Sequence, residues 1–164
     1  MSSSSKPVSN LARAIAMWLW LKKVPPDTAS KAERVLQEWV SDQIEEWVKK
    51  NHPDRFRIKC EPKTGGVEPI RAFETSFWPD ISIESPDKDL LVAVEVKYLT
   101  PGSVPSQVSQ ALGQALVYRQ IYQQSLVVLV PRLKLDTPPP PFFENVAEHQ
   151  IELTLLQVAG QSNV

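Results

Sequence analysis

The sequence predicts an α/β (α+β) domain in which helices flank a central mixed β-sheet. Helical periodicity up to about residue 50 changes to an alternation of apolar and polar residues from Phe56 onward. A helix-length segment at 106–124 then precedes the run LVVLV at 126–130, which is typical of a strand buried on both faces. The chain has 164 residues, of which 42% are hydrophobic. This is enough for one domain with its own core, which we assign to residues 9–164, and we expect residues 1–8 to be a disordered tail.

The first two helices follow from local signals. Residues 9–24 are rich in Ala, Leu and Trp and predict a short helix that ends before a pair of prolines. Thr28 or Ser30 can then cap a longer helix that continues to about Lys50.

Strands make up most of the remaining chain. Phe56, Ile58 and Cys60 alternate with charged residues, which predicts a half-buried strand. The further extended segments, recognised by alternation and by flanking turn residues, are 67–74, 77–84, 90–99 and a last strand through Ile151, Leu153 and Leu155. The prolines at 138–141 predict a polyproline II connector.

The composition excludes several classes of function. The formal net charge of −1 gives no global basic signature for nucleic-acid binding. Cys60 is the single cysteine, so a disulfide framework and a thiolate metal site are excluded, and His52 and His149 lack the spacing of zinc ligands. The apolar run at 11–21 contains an arginine and is too short to span a bilayer, so we expect a soluble, cytoplasmic protein without a membrane partner.

The strand at 90–99 carries two charges near its end. Alternation places Glu95 and Lys97 together on one face, opposite the face of Val92, Val94 and Val96. Charges on an inner strand are costly unless they are paired or bind a metal. Taken alone, a structural Glu–Lys pair on an exposed face is the commoner explanation.

A second acid joins them if 77–84 and 90–99 form an antiparallel hairpin. Counting outward from the turn places Asp80 near Glu95, whereas Asp87 lies within the Ser-Pro-Asp turn and is expected to be solvated. Two neighbouring carboxylates bind a hard cation such as Mg²⁺ or Mn²⁺ through oxygen. A lysine beside them can hold an attacking water and stabilise negative charge, which suits phosphodiester hydrolysis.

These residues resemble the PD-(D/E)xK motif of the restriction-endonuclease-like nucleases. Pro79-Asp80 is followed, after fourteen intervening residues, by Glu95-Val96-Lys97. The order helix, three strands, helix, strand (αβββαβ) over about 30–131 matches the core of that fold, with an extra N-terminal helix and a C-terminal extension. The resemblance implies a Mg²⁺-dependent deoxyribonuclease in which Asp80, Glu95 and the Val96 carbonyl hold the metal and Lys97 is catalytic. DNA is the implied partner, and RNA is not excluded.

Two helical features bear on this hypothesis. Glu33 lies on the core-facing stripe of its helix, where the resemblance implies a metal ligand; a favourable interaction with the helix dipole is the alternative. Gln110, Gln114 and Tyr118 form one stripe on the later helix, beside an apolar stripe of Val108, Leu112 and Leu116. The Gln-Gln-Tyr stripe resembles the Q-x-x-x-Y helix of exonuclease-like branches and implies substrate positioning, unless it is an amide-rich solvent face.

Two stretches without acids, 1–26 and 96–135, could form a cationic face, although a solvated surface is the commoner outcome. Arg119, Arg132 and Lys134 are candidates for phosphate contacts or plain surface residues. A non-catalytic nucleic-acid- or protein-binding module, or a subunit of a larger nuclease or recombination complex, is the alternative function. Sequence-specific cleavage would require a homodimer or a partner protein. Trp18 and Trp20 could supply an interface, although packing in the core is their commoner role.

Overall fold

The computed structural model describes residues 10–133 and 149–161, and its centre is a five-stranded mixed β-sheet with helices on both faces. The helices are α1 (Leu11–Trp20), α2 (Pro26–Ala29), α3 (Glu33–Asn51) and α4 (Val104–Tyr118). The strands are β1 (Lys23–Val24), β2 (Arg57–Cys60), β3 (Ile70–Ala72), β4 (Thr75–Phe77), β5 (Ile81–Glu84), β6 (Leu91–Leu99), β7 (Gln124–Pro131), β8 (Ile151–Leu155) and β9 (Gln157–Val158).

The main sheet has the strand order β2-β5-β6-β7-β8. Strand β6 is central; it pairs antiparallel with β5 and parallel with β7, and β8 adds a further parallel strand beside β7. The parallel pair β6–β7 is connected through α4, as a parallel crossover requires. The predicted mixed sheet flanked by helices is confirmed.

Each face of the sheet has its own helical layer. Val92, Val94 and Val96 of β6 belong to one buried cluster together with residues of α1 and α3. Val127 and Leu129 of β7 belong to a second cluster with residues of α4. Because both faces are covered, β7 is almost entirely buried, and the prediction made from its uninterrupted apolar run is confirmed.

Two predicted strands are divided differently from the expectation. The segment 67–74 is not one extended piece, because β3 and β4 form a hairpin of their own through a turn at Phe73-Glu74. The segment 77–84 is not one strand either: Phe77 ends β4, and β5 begins only at Ile81. Pro79 lies in the break, and proline cannot donate to a ladder, so pairing stops there.

The helix boundaries also differ from those predicted. Helix α1 ends at Trp20 instead of residue 24, because Lys23 and Val24 pair with β9 and bury the valine. Helix α3 begins at Glu33 without a side-chain cap, and Thr28 belongs to the separate short α2.

Helix α4 covers Val104–Tyr118 instead of 106–124, because the chain turns after Tyr118 and Gln124 already pairs in β7. Leu116, predicted on its apolar stripe, is 52% exposed, and Ala111 and Ala115 are buried in its place. In the part of the chain that the structure describes, no helix is long and apolar enough to cross a membrane. The predicted tail at 1–8 and connector at 138–141 lie outside the described residues.

Candidate active site

The candidate site lies where β6 continues past the start of β5. Ile81 pairs with Val94, so the next position outward places Asp80 opposite Glu95, as counting from the turn predicts. The N–H of Val96 has no strand partner on this side and donates to Asp80 Oδ2 at 2.7 Å. Asp80 Oδ2 therefore accepts the hydrogen bond that the carbonyl oxygen of a neighbouring strand would otherwise accept from Val96.

Asp80 is held from a second direction by α3. Gln37 Nε2 donates to Asp80 Oδ1 at 2.7 Å, so both carboxylate oxygens have a fixed donor. Gln37 was not predicted as a site residue. The signal that could have identified it is its spacing, since it lies four residues, or about one helical turn, after Glu33.

Glu95 is the most deeply buried charge of the site, with 3% of its surface exposed. The hydroxyl of Tyr118 lies 2.7 Å from Glu95 Oε2 and 3.0 Å from the carbonyl oxygen of Trp78. A hydroxyl has one proton to donate, so Tyr118 can donate to ionised Glu95, or accept from protonated Glu95 while donating to Trp78. Tyr118 thus fits either protonation state.

Lys97 lies close to two of the three acidic groups of the site, Glu33 and Glu95. Its Nζ lies 3.2 Å from Glu33 Oε1 and 3.8 Å from Glu95 Oε1. The second oxygen of Glu33 accepts from the N–H of Tyr98 at 3.0 Å. Glu33 is therefore brought to the site as the resemblance implies, but its oxygens already bind Lys97 and the β6 backbone.

The burial of these groups shifts their titration. Burial, opposed by the Val96 N–H, raises the pKa of Asp80 to about 7. Burial and repulsion from Asp80 raise the pKa of Glu95 to about 8. Burial lowers the pKa of Lys97, but attraction to Glu33 and Glu95 outweighs burial and the net shift is upward, so Lys97 stays a cation at neutral pH.

The oxygen ligands of the site are of the type that a hard cation prefers, but they are few. Asp80 and Glu95 supply carboxylate oxygens, and the Val96 carbonyl projects from the same strand edge as the N–H that binds Asp80. Across residues 10–133 and 149–161, no three His, Cys, Asp or Glu side chains come close enough together to hold a metal ion. A metal at this site would therefore rest on two carboxylates, a carbonyl and water, which is the sparse coordination that Mg²⁺ accepts.

The predicted stripe on α4 divides between the site and its surroundings. Tyr118 is fully buried against Glu95, whereas Gln110, about two helical turns before it, is exposed. Gln114 lies between them and is half-buried, and within the described chain its Oε1 is buried with no hydrogen-bond partner. The structure thus places Tyr118 at the site and leaves the substrate-positioning role of the two glutamines a prediction.

The three residues predicted to contact phosphate differ in their surroundings. Arg119 donates to the carbonyl oxygens of His149 and Tyr122, so its guanidinium is bound by backbone at the end of α4. Arg132 stacks on the ring of Tyr98 at 3.9 Å, beside the β6 backbone that binds Glu33. Lys134 lies outside the described residues.

Comparison with known proteins gives limited structural similarity. No protein-family model matches the chain, and no curated protein matches it in sequence. Among solved structures, the chain is similar to SfsA of Pyrococcus furiosus, determined in complex with Ca²⁺, with a TM-score of 0.41 and 19% sequence identity. The match covers 73% of this chain and 55% of that one, so the chain spans little more than half the length of that structure. At this level of similarity, the site itself must carry the functional argument.

Proposed function

We propose that the protein is a Mg²⁺-dependent nuclease that hydrolyses phosphodiester bonds of DNA, with a restriction-endonuclease-like core. The observation that carries this proposal is the convergence of Asp80, Glu95 and Lys97 at the end of the β5–β6 pair. A buried carboxylate, Glu95, faces a half-buried one, Asp80, across the strand edge, and the ammonium group of Lys97 lies 3.8 Å from Glu95 Oε1.

Neighbouring groups hold the two carboxylates in fixed orientations. Gln37 and the Val96 N–H fix the orientation of Asp80, and Tyr118 fixes that of Glu95. Positions held from two sides keep oxygen ligands within the narrow geometry that catalysis requires. Asp80, Glu95 and the Val96 carbonyl would hold Mg²⁺, which would supply Lewis-acid chemistry at the scissile phosphate.

Lys97 supplies positive charge where the reaction accumulates negative charge. Its ammonium remains protonated, so it acts as a hydrogen-bond donor and a fixed charge, and not as a general base. Glu33 keeps it in place through the 3.2 Å contact. We assign Glu33 primarily to positioning Lys97, in place of the ligand role that the resemblance implies.

A non-catalytic role has its own structural support. Asp80 accepts a hydrogen bond from the N–H of Val96, and Glu33 accepts one from the N–H of Tyr98. Both N–H groups lie on the edge of β6 that extends past β5. These contacts could be retained to stabilise β6 alone, in a DNA- or protein-binding module. The experiment below separates the two functions.

The test is cleavage of a panel of linear, single-stranded, branched and supercoiled DNAs in Mg²⁺ or Mn²⁺. Asp80→Asn and Lys97→Met are expected to reduce the cleavage rate by a factor of 100 or more, since each removes a group that acts on the scissile phosphate. The matched controls, Asp87→Asn and Lys88→Met, change the same residue types in the exposed turn at the other end of the hairpin and should leave the rate unchanged.

Two results would contradict the enzyme proposal. One is a wild-type protein that cleaves none of the DNAs, and no RNA, in either metal. The other is a Lys97→Met variant that is folded by circular dichroism and cleaves as fast as wild type.

A further inference from the structure

The β3–β4 hairpin ends in an exposed aromatic residue. Phe73 and Glu74 form a two-residue loop between the paired residues Ala72 and Thr75. The side chain of Phe73 is 85% exposed. A solvated aromatic ring at a hairpin tip contributes little to the stability of the fold, so its presence calls for another explanation.

The backbone at this tip is also unfavourable for the residues it carries. Phe73 has φ = +53° and Glu74 has φ = +61°. Two consecutive positive φ values are typical of a type I′ turn, which favours Asn-Gly, whereas a bulky aromatic at such a position is strained. The backbone conformation of Phe73 therefore opposes folding stability, and its exposed ring does not compensate for this cost.

The base of the hairpin is anchored beside the candidate active site. Ile70 is buried in a cluster with Tyr118 and Tyr122, and Phe77 packs against that cluster. The next residue, Trp78, has its carbonyl oxygen 3.0 Å from the Tyr118 hydroxyl. Strands of three residues, at about 3.4 Å per residue, place the tip about 10 Å beyond this base.

We propose that Phe73 stacks on an unpaired nucleobase of the substrate, so that the substrate class is DNA with unstacked bases, such as single-stranded ends, flaps or branches. This inference rests on the proposed nuclease function. Aromatic rings bind single strands because every base offers a π-face, whereas the faces of bases in an intact duplex are covered by their neighbours.

Two other exposed residues belong to this region. Trp78, 49% exposed, directly follows β4 and precedes Asp80 by two residues, and it offers a second aromatic surface. Arg71 is exposed on the hairpin and can contact a phosphate. Glu74 has the wrong charge for a phosphate, so binding at the tip itself depends on the ring of Phe73.

The test compares substitutions at the two strained positions. Phe73→Asn removes the ring and introduces a residue that tolerates positive φ, so the variant should be as stable as wild type or more stable. Glu74→Asn gives the same backbone relief one residue away and keeps the ring, which makes it the matched control. Phe73→Tyr keeps an aromatic face at the tip.

Binding is measured by fluorescence anisotropy with a labelled single-stranded oligonucleotide and with a blunt duplex of equal length, in EDTA so that no cleavage occurs. We expect Phe73→Asn to weaken single-strand binding about tenfold or more and to change duplex binding little. Glu74→Asn should bind the single strand as well as wild type or better, and Phe73→Tyr should bind like wild type.

The inference is overturned if wild type does not prefer the single strand, or if Phe73→Asn, with unfolding stability equal to or above wild type, binds it equally tightly. The nuclease proposal fails separately. If single-strand binding depends on Phe73 but no DNA is cleaved in Mg²⁺ or Mn²⁺, the stacking role stands and the catalytic proposal falls. If DNA is cleaved and Phe73→Asn changes neither cleavage nor single-strand binding, the catalytic proposal stands and the stacking role falls.

Discussion

Replacing Glu95 by Gln should change how the stability of the protein depends on pH. Glu95 is 3% exposed, and its pKa rises from 4.5 to about 8 through burial and repulsion from Asp80. Gln is nearly isosteric, carries no charge at any pH, and keeps an oxygen that accepts from the Tyr118 hydroxyl. The substitution therefore removes the titration with little change in packing.

The sign follows from the difference in bound protons. Between pH 4.5 and about 8, the folded protein keeps the proton of Glu95, whereas the unfolded chain has lost it. The stabilisation present below pH 4.5 is therefore lost as pH rises through this window. One additional proton in the folded state gives a slope of about 1.4 kcal/mol per pH unit, or about 3 kcal/mol between pH 5 and pH 7.

The measurement is guanidinium unfolding followed by tryptophan fluorescence at pH 5, 6, 7 and 8, in EDTA so that no divalent cation selects the ionised form. Other groups titrate in both proteins, so the quantity of interest is the unfolding free energy of Glu95→Gln minus that of wild type. This difference should increase with pH by about 1.4 kcal/mol per unit and favour the variant at pH 8. Glu46→Gln, which removes an exposed carboxylate of α3, is the control with which the pH dependence of Glu95→Gln is compared.

A difference for Glu95→Gln that is flat from pH 5 to pH 8 would refute the reasoning. It would mean that Glu95 is ionised in the folded protein at neutral pH. An attraction to Lys97 that outweighed the burial of Glu95 would give this same flat difference, because the titration would then lie below pH 4.5.

Three further substitutions test the contacts around the site and the core. Tyr118→Phe removes a hydrogen bond that lowers the pKa of Glu95, so the pH-dependent loss of stability should extend to higher pH and the variant should be about 1–3 kcal/mol less stable at pH 8 in the same unfolding assay. Gln37→Leu removes a hydrogen bond that lowers the pKa of Asp80, and isothermal titration with Mg²⁺ at pH 7 should give weaker binding than wild type. Leu126→Ala truncates a fully buried side chain of β7 and should lower the unfolding free energy by about 2–5 kcal/mol without changing the pH slope.

The strands of the core and the pairing of the two acids could be predicted because they depend on local information. Counting outward from a tight turn with a side-chain period of two places Asp80 opposite Glu95 and identifies Asp87 as a turn residue, and the structure agrees. The apolar run of β7 likewise predicts its burial on both faces, because it lacks the polar alternation of a half-exposed strand.

Element boundaries were less predictable, because they depend on partners distant in sequence. Helix α1 ends early because β9, more than a hundred residues later, pairs with Lys23 and Val24. Helix α4 ends early because Gln124 is already part of β7. Helical propensity is a local property and contains no information about pairing with a distant strand.

The sequence by itself determined the mixed α+β architecture, the hairpin that joins β5 to β6, and the face shared by Glu95 and Lys97. Only the tertiary structure decided which helical side chains complete the site. Lys97 contacts Glu33, which is 64 residues away in sequence, and Asp80 contacts Gln37, which is 43 residues away. These contacts depend on the angle and register at which α3 packs against the sheet. That placement is set by the fit of many buried side chains on two elements, which no short stretch of sequence contains.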